Sequence, residues 1–166
     1  LECDKGRYLA TVGAYNSSSC VGCLPGSSQH ERGQAFCLPC FPGRYQPASG
    51  SAACHDCTIG QYQDVESSSG CVQCPSGFSS TSINKSTGCN EVPPGSYMTA
   101  DGGIGKCTPG SYCVGGDKSS VSCDPGSFAS RNGSIACIEC VPGKYAASEA
   151  STKCSECPRG WLQQLG

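Results

Sequence analysis

An aromatic residue recurs along this chain two residues after a glycine, and mostly polar and small residues separate the copies. The seven copies are Tyr8, Tyr45, Tyr62, Tyr97, Tyr112, Phe128 and Tyr145. Proline precedes the glycine in six repeats, and Pro-Gly favours a type II turn because glycine tolerates a positive φ. We therefore expect each repeat to be a tight turn, a short strand carrying one aromatic, a Ser/Gly/Ala-rich reversal and a short return strand.

The cysteines set the length of the repeat, because a step of 17 residues separates Cys20, Cys37, Cys54 and Cys71. Ten repeats, numbered 1 to 10 below, begin at Cys3, Cys23, Cys40, Cys57, Cys74, Val92, Cys107, Cys123, Cys140 and Cys157. Val92 stands where the others have cysteine, and Cys113 is an extra cysteine. We therefore expect regular repeats over residues 3–91 and 123–166, the last one incomplete, and irregular repeats over 92–122.

Composition explains how such a chain folds. Cysteine supplies 17 of the 166 residues, whereas Leu, Ile, Val and Phe together number 23, too few to bury a large core. The net charge of -2 is too small for a disordered chain. Disulfides must replace the core, as in secreted modules. The sequence thus predicts a small disulfide-rich β fold, an elongated tandem array of about ten hairpin-like units with little or no helix.

Charge and hydropathy exclude two classes of partner. The 11 basic residues are scattered and the pI is about 5.6, so we expect no nucleic-acid binding. No apolar run approaches the roughly 18 residues that span a bilayer, so we expect no direct membrane insertion in this segment. The first residues lack the features of a signal peptide, which favours a portion of a larger secreted protein.

The pattern Cys-x-x-Cys-x-Pro-Gly-x-Tyr resembles the ephrin-receptor-like cysteine-rich repeats of large extracellular proteins, many of them from algae and other protists. It is also similar to the first half of a tumour necrosis factor receptor repeat and to the end of an epidermal growth factor module. The resemblance covers nearly the whole chain, with Val92 and Cys113 as departures. It implies an extracellular disulfide-linked rod and does not specify an activity.

Two disulfide schemes fit the spacing, which alone does not fix connectivity. The preferred one pairs each opening cysteine with the next cysteine downstream: Cys3-Cys20, Cys23-Cys37, Cys40-Cys54, Cys57-Cys71, Cys74-Cys89, Cys107-Cys113, Cys123-Cys137 and Cys140-Cys154. It leaves Cys157 over and implies a chain that continues. The alternative is crossed and leaves Cys3 over instead. Each loop of about 14 residues would add on the order of 3 kcal/mol, so reduction should unfold the array.

The cysteines could instead bind zinc or take part in redox chemistry. Cys20, Cys23, Cys37 and Cys40 have a spacing that would suit a four-thiolate zinc site. The uniform step and the cysteines left outside such sites argue against zinc. A thioredoxin-like redox role is weaker still, because no strand-to-helix context surrounds the pairs.

Three of the four asparagines, Asn16, Asn84 and Asn132, begin N-glycosylation sequences in the variable stretch before a closing cysteine. We expect N-linked glycans at all three. His30 and His55 are isolated, and the acidic residues do not form a calcium-loop pattern, so we expect no catalytic residues, metal or cofactor.

Function must then come from shape and surface, in an extracellular or cell-surface setting. The first hypothesis is a structural glycosylated rod or spacer that assembles with other protein chains into a coat, sheath or flagellar-hair-like (mastigoneme) filament. The alternative is the ectodomain of a receptor or adhesion protein that binds a protein ligand. Short, uniform loops favour the scaffold. The irregular stretch between Cys89 and Cys123 is where we expect a bend or a partner contact.

Overall fold

The computed structural model describes residues 2–9, 16–80, 85–116 and 119–158, and over them the chain is a series of two-stranded antiparallel hairpins. The pairs are β1 (Arg7–Tyr8) with β2 (Val21–Gly22), β3 (Ser27–Ser28) with β4 (Leu38–Pro39), β5 (Arg44–Tyr45) with β6 (His55–Asp56), β7 (Gln61–Tyr62) with β8 (Val72–Gln73), β9 (Phe78–Ser79) with β10 (Asn90–Glu91), β11 (Ser96–Met98) with β12 (Ile104–Lys106), β13 (Ser111–Tyr112) with β14 (Val121–Ser122), β15 (Ser127–Phe128) with β16 (Ile138–Glu139), and β17 (Lys144–Tyr145) with β18 (Ser155–Glu156).

Each hairpin begins at the turn that the Pro-Gly pattern predicts. In repeat 3 the N–H of Arg44 donates to the carbonyl oxygen of Phe41 over 3.0 Å, which closes a four-residue turn. Gly43, the second central residue, has φ 83°, while proline at the first central position holds a negative φ. These are the φ signs of a type II turn. We call Gly43 and its equivalents the turn glycines, and their φ lies between 77° and 92° in repeats 1 to 9.

Eight disulfides form, each within a single repeat and all of them in the uncrossed scheme. In a regular repeat the bridge joins the cysteine before the turn to the cysteine before the return strand, as in Cys40–Cys54 with Cα atoms 5.8 Å apart. Most opening cysteines are buried, whereas the closing cysteines of these repeats remain half-exposed. The predicted small disulfide-rich β fold with little helix is confirmed.

Backbone hydrogen bonds join each repeat to the next. The opening residue donates its N–H to the turn glycine of the preceding repeat, as Cys57 does to the Gly43 oxygen over 2.9 Å. The turn glycine donates its own N–H forward, from Gly43 to the Gln63 oxygen over 2.6 Å. The loop of the next repeat donates back, from Ser67 to the Cys40 oxygen over 2.9 Å. The junction between repeats 3 and 4 is therefore tied by three backbone bonds that need no particular side chain, whereas Gly60 in repeat 4 donates instead to the Ser80 hydroxyl over 2.9 Å.

Repeats that are not adjacent in sequence also touch. A methyl group on Gly43, in repeat 3, would overlap the backbone of Lys85 in repeat 5, and Gly110 stands in the same relation to Ala150, two repeats further on. Gly43 and Gly110 are thus needed for close approach as well as for the turn. The successive hairpins are stacked so tightly that the second neighbour lies against the turn.

The contacts divide the chain into two compact units, one of Leu1–Pro75 with Ser80–Asn90 and the other of Ser76–Ser79 with Glu91–Gly166. Each unit consists of stacked hairpins of the kind described above. Across the described ranges the single helical element is the 3-10 turn Ser17–Ser19, and none of these residues belongs to a helix able to cross a bilayer. The sequence-based division into residues 3–91, 92–122 and 123–166 concerns the regularity of the repeats and stays a prediction.

Candidate interaction surface

Shallow grooves lie between successive repeats, and equivalent positions line them. Each groove is formed by the return strand of one repeat and by the turn and closing cysteine of the next. Three of them have volumes of about 270, 300 and 330 Å³. The groove between repeats 2 and 3 contains Leu38, Phe41 and Arg44, that between repeats 7 and 8 contains Tyr112, Val121 and Asp124, and that between repeats 8 and 9 contains Phe128, Ile138, Val141, Lys144 and Lys153.

The strand aromatics are half-buried, and two of them, Tyr112 and Phe128, line these grooves. Tyr112 shares its groove with Cys137, the closing cysteine of the following repeat. Where serine replaces the aromatic, the Ser28 hydroxyl lies 3.4 Å from the Cys54 sulfur. This position thus faces the disulfide of the next repeat.

Three buried glutamines were missed by sequence reasoning. Gln29, Gln46 and Gln63 each follow the strand position of the aromatic, at what we call the inner position, and each is at most 6% exposed. The Gln46 side chain donates from Nε2 to the Ala53 oxygen over 2.6 Å and accepts at Oε1 from the Ala48 N–H over 3.0 Å. Each glutamine thereby holds its loop in shape. Their common step of 17 residues was a visible signal.

The irregular stretch keeps the stacking but loses the usual cross-links. Buried Val92 replaces an opening cysteine, so repeat 6 has no disulfide of its own. Cys113 occupies the inner position of repeat 7 and bonds to Cys107, with both residues fully buried. The N–H of Gly95 still donates to the Cys113 oxygen over 2.9 Å. No disulfide therefore ties the loops of these two hairpins to their return strands.

Two of the three predicted glycosylation asparagines lie on exposed loops. Asn16 is exposed, and its Oδ1 accepts a hydrogen bond from the Ser18 N–H over 3.2 Å. Asn132 is exposed at the loop of repeat 8. Asn84 lies outside the described residues. Attached sugars at Asn16 and Asn132 would project into solvent.

The titratable side chains are dispersed over the surface. His30 is exposed, and the His55 ring packs at 5.6 Å from the ring of Tyr45. Arg44 and Asp56 form a partly buried ion pair of 2.8 Å across one hairpin. A hydrogen bond from the Thr99 hydroxyl, with backbone donors, lowers the pKa of Asp101 below its ordinary value. Within the described ranges no three His, Cys, Asp or Glu side chains come together as a metal site would require.

The sulfurs considered for zinc are bonded to one another instead. Cys20, Cys23, Cys37 and Cys40 all take part in disulfides, so they offer no thiolate to a metal. Cys157 is the one free cysteine among the described residues, and it is half-exposed. Its N–H donates to the Gly143 oxygen over 2.9 Å, as an opening residue does in the other repeats.

Comparison with known families finds a match over part of the chain. Residues 43–89 match the family model Ephrin_rec_like, described as tyrosine-protein kinase ephrin type A/B receptor-like. The match runs from the turn glycine of repeat 3 to the closing cysteine of repeat 5 and confirms the resemblance for that stretch. A search of curated proteins found no match for the chain. Eight disulfides and this match indicate an extracellular type of module.

Proposed function

We propose that the chain is a structural module of an extracellular or cell-surface assembly, a glycosylated rod or spacer that acts by packing with other protein chains. A coat, a sheath or a flagellar-hair-like (mastigoneme) filament would use such a part. The observation that carries this proposal is the backbone hydrogen bond that each opening residue, from Cys23 to Cys157, donates to the turn glycine of the repeat before it. A module built to bridge distance needs stiffness along its length, and these bonds supply it within each compact unit.

The free energy that holds adjacent repeats together can be estimated from the hydrogen bonds at one junction. Between repeats 3 and 4 the bonds from Cys57 to Gly43, Gly43 to Gln63 and Ser67 to Cys40 all lie between 2.6 and 2.9 Å. A backbone hydrogen bond contributes about 0.5–1.5 kcal/mol net, so opening one junction costs several kcal/mol before any packing is lost. Repeats two apart also touch, which opposes bending further. Each unit should behave as one stiff body.

We also propose that the chain has no enzymatic activity and binds no cofactor. The grooves described above are open and shallow, unlike the concave sites that enclose a substrate. Their polar side chains include Arg44 in one groove and Asp124 in another, but no nucleophile is paired with a base there. An open surface of this kind is better suited to binding another protein than to enclosing a small substrate.

N-linked glycans at Asn16, Asn84 and Asn132 are part of the proposal. The exposed positions of Asn16 and Asn132 support it. Glycans on loops would limit lateral contact to the unglycosylated faces. Mass spectrometry of protein secreted from eukaryotic cells, before and after enzymatic removal of N-glycans, tests this. Unmodified asparagines at all three positions would contradict it.

A receptor or adhesion ectodomain is the second candidate, and the matched family favours it, since its description is that of a receptor-like protein. A receptor would bind one protein ligand tightly through a localised surface. The segment 92–122, with its two loops lacking the usual cross-link, is where that surface would lie.

One experiment separates the two candidates. The oxidised chain is purified from a secretory host, imaged by electron microscopy and measured by solution scattering over a range of concentrations. The structural proposal expects stiff particles that associate with one another or with chains of their native assembly. A monomer at every concentration that binds a single ligand with high affinity would overturn it in favour of the receptor. Chain that has been reduced and alkylated is the control for non-specific association.

A further inference from the structure

The groove between repeats 8 and 9 combines an exposed apolar floor with two lysines, and we call it the basic groove. Phe128, Ile138 and Val141 form the floor, and Lys144 and Lys153 line it as well. Ile138 is 57% exposed and Val141 is 60% exposed, so the groove presents apolar surface to solvent. The groove also contains Glu139 and Cys154. It would suit a ligand with an aliphatic side chain between negative charges.

The loop of repeat 4 has that composition. Its residues Asp64, Val65 and Glu66, here called the acidic tip, are all exposed, and Val65 is 60% exposed. The tip is held by three hydrogen bonds: from the Val65 N–H to Gln63 Oε1 over 3.0 Å, from the Ser68 hydroxyl to the Val65 oxygen over 3.2 Å, and from the Ser67 N–H to the Cys40 oxygen over 2.9 Å. A preformed loop loses little entropy when it binds.

The other described loops differ at the same three positions. They read His30-Glu31-Arg32 in repeat 2, Pro47-Ala48-Ser49 in repeat 3, Thr99-Ala100-Asp101 in repeat 6, Val114-Gly115-Gly116 in repeat 7, Ser130-Arg131-Asn132 in repeat 8 and Ala147-Ser148-Glu149 in repeat 9. None of these places a large aliphatic side chain between two acids. The acidic tip is therefore the loop, among those the structure describes, whose charge and shape complement the basic groove.

We propose that the acidic tip of one copy of this chain docks into the basic groove of a second copy. Val65 lies against Ile138 and Val141, and the carboxylates of Asp64 and Glu66 face Lys144 and Lys153. The occupant is a second copy because the complementary charges and the complementary apolar side chain are both present on this chain. This inference rests on the proposed structural function and names one contact through which assembly proceeds.

The symmetry of the contact has a consequence for assembly. Tip and groove are different surfaces, so the contact is heterologous and leaves each copy with one free tip or one free groove. Such contacts build rings or open filaments. One tip is a small interface, so the association should be weak and concentration-dependent. It should also weaken with salt, because the Debye length falls from about 10 Å at 0.1 M to about 3 Å at 1 M.

Charge reversal tests this contact with the oxidised, full chain in sedimentation velocity. The tip variant carries Asp64→Lys and Glu66→Lys, and the groove variant carries Lys144→Glu and Lys153→Glu. Each variant alone then opposes like charges at the contact, so its association constant should fall at least about tenfold below that of the unsubstituted chain. An equimolar mixture of the two should recover association, because each reversed surface meets its opposite.

The matched control carries Glu2→Lys and Glu31→Lys, two exposed acids away from the tip, and changes the net charge as much as the tip variant does. It should associate as the unsubstituted chain does. Val65→Ser and Ile138→Ser should each weaken association without altering the disulfide map, which shows that the variants have folded. Recovery in the mixture together with an unaffected control would establish the contact.

Two results would overturn the inference, and they differ in what they say about the structural function. If the chain associates but the tip and groove variants associate equally well, assembly stands and uses another surface. If the chain stays monomeric up to millimolar concentration at low salt, the self-contact is wrong. The structural function is then decided separately, by imaging the chain within its native assembly.

Discussion

Replacement of Gln46 by leucine tests whether the buried inner glutamines hold the loops of the repeats. Gln46 is 2% exposed, and its amide bonds the Ala53 oxygen on one side and the Ala48 N–H on the other. Leucine has nearly the same size, so the substitution removes both hydrogen bonds without opening a large cavity. The disulfide Cys40–Cys54 stays in place, and the loop is the part expected to loosen.

The magnitude follows from the two lost bonds. Each contributes about 0.5–1.5 kcal/mol net, so opening of the loop should become easier by about 1–3 kcal/mol. Hydrogen exchange followed by mass spectrometry reports this opening directly, and that range corresponds to exchange that is about 5- to 150-fold faster. The faster exchange should be confined to the peptide that contains Ala48 and its immediate neighbours.

Gln61→Leu is the matched control, because Gln61 lies on a strand surface with exposed side-chain hydrogen bonds. A surface substitution of this kind should change stability by no more than about 0.5 kcal/mol. Exchange around residue 48 that stays within twofold of the unsubstituted chain, or that equals the effect of the control, would refute the structural role assigned to Gln46.

Three further predictions concern backbone conformation and charge. Ala150→Gly should stabilise its repeat by about 1 kcal/mol in thermal melts, because Ala150 has φ 55°, whereas Ala147→Gly, outside the left-handed region, should destabilise it. Gly43→Ala should destabilise by about 3 kcal/mol, since the methyl group would overlap backbone two repeats away, and exchange rates that stay unchanged would contradict this. Thr99→Val should raise the pKa of Asp101 toward its ordinary value in an NMR titration. Because the pKa of Asp101 in the folded chain lies below its ordinary value, the hydrogen bond stabilises the fold at pH values above the ordinary pKa. This stabilisation is lost as the pH falls through the lowered pKa.

The sequence was sufficient to predict the hairpins, because their signals are local. Pro-Gly predicts the turn at Gly43, and the cysteine step predicts the length of the repeat. The spacing fitted both disulfide schemes, and the structure shows the uncrossed pairs. Local sequence patterns were therefore enough to predict the fold class and the repeat length.

The stacking and the grooves could not be predicted in the same way. The hydrogen bond from Gly43 to Gln63 joins backbone atoms of different repeats, and no side chain marks it. Ser67, Lys85 and Ala150 have a positive φ although none of them is glycine, so their residue types do not indicate this backbone conformation. The basic groove depends on which strand of one repeat lies beside which turn of the next, and that follows from the stacking. The inner glutamines were visible in the sequence, but their burial was not.

Hydrogen exchange of the fully reduced and alkylated chain is the most direct test of the claim that disulfides replace a hydrophobic core. With the eight bridges removed, the remaining apolar residues bury too little surface to hold the stacked hairpins. We predict that amides bonded between repeats, such as Gly43 and Cys57, exchange at the rate of an unfolded chain after reduction and are protected before it. Protection that persists in the reduced chain would contradict the claim.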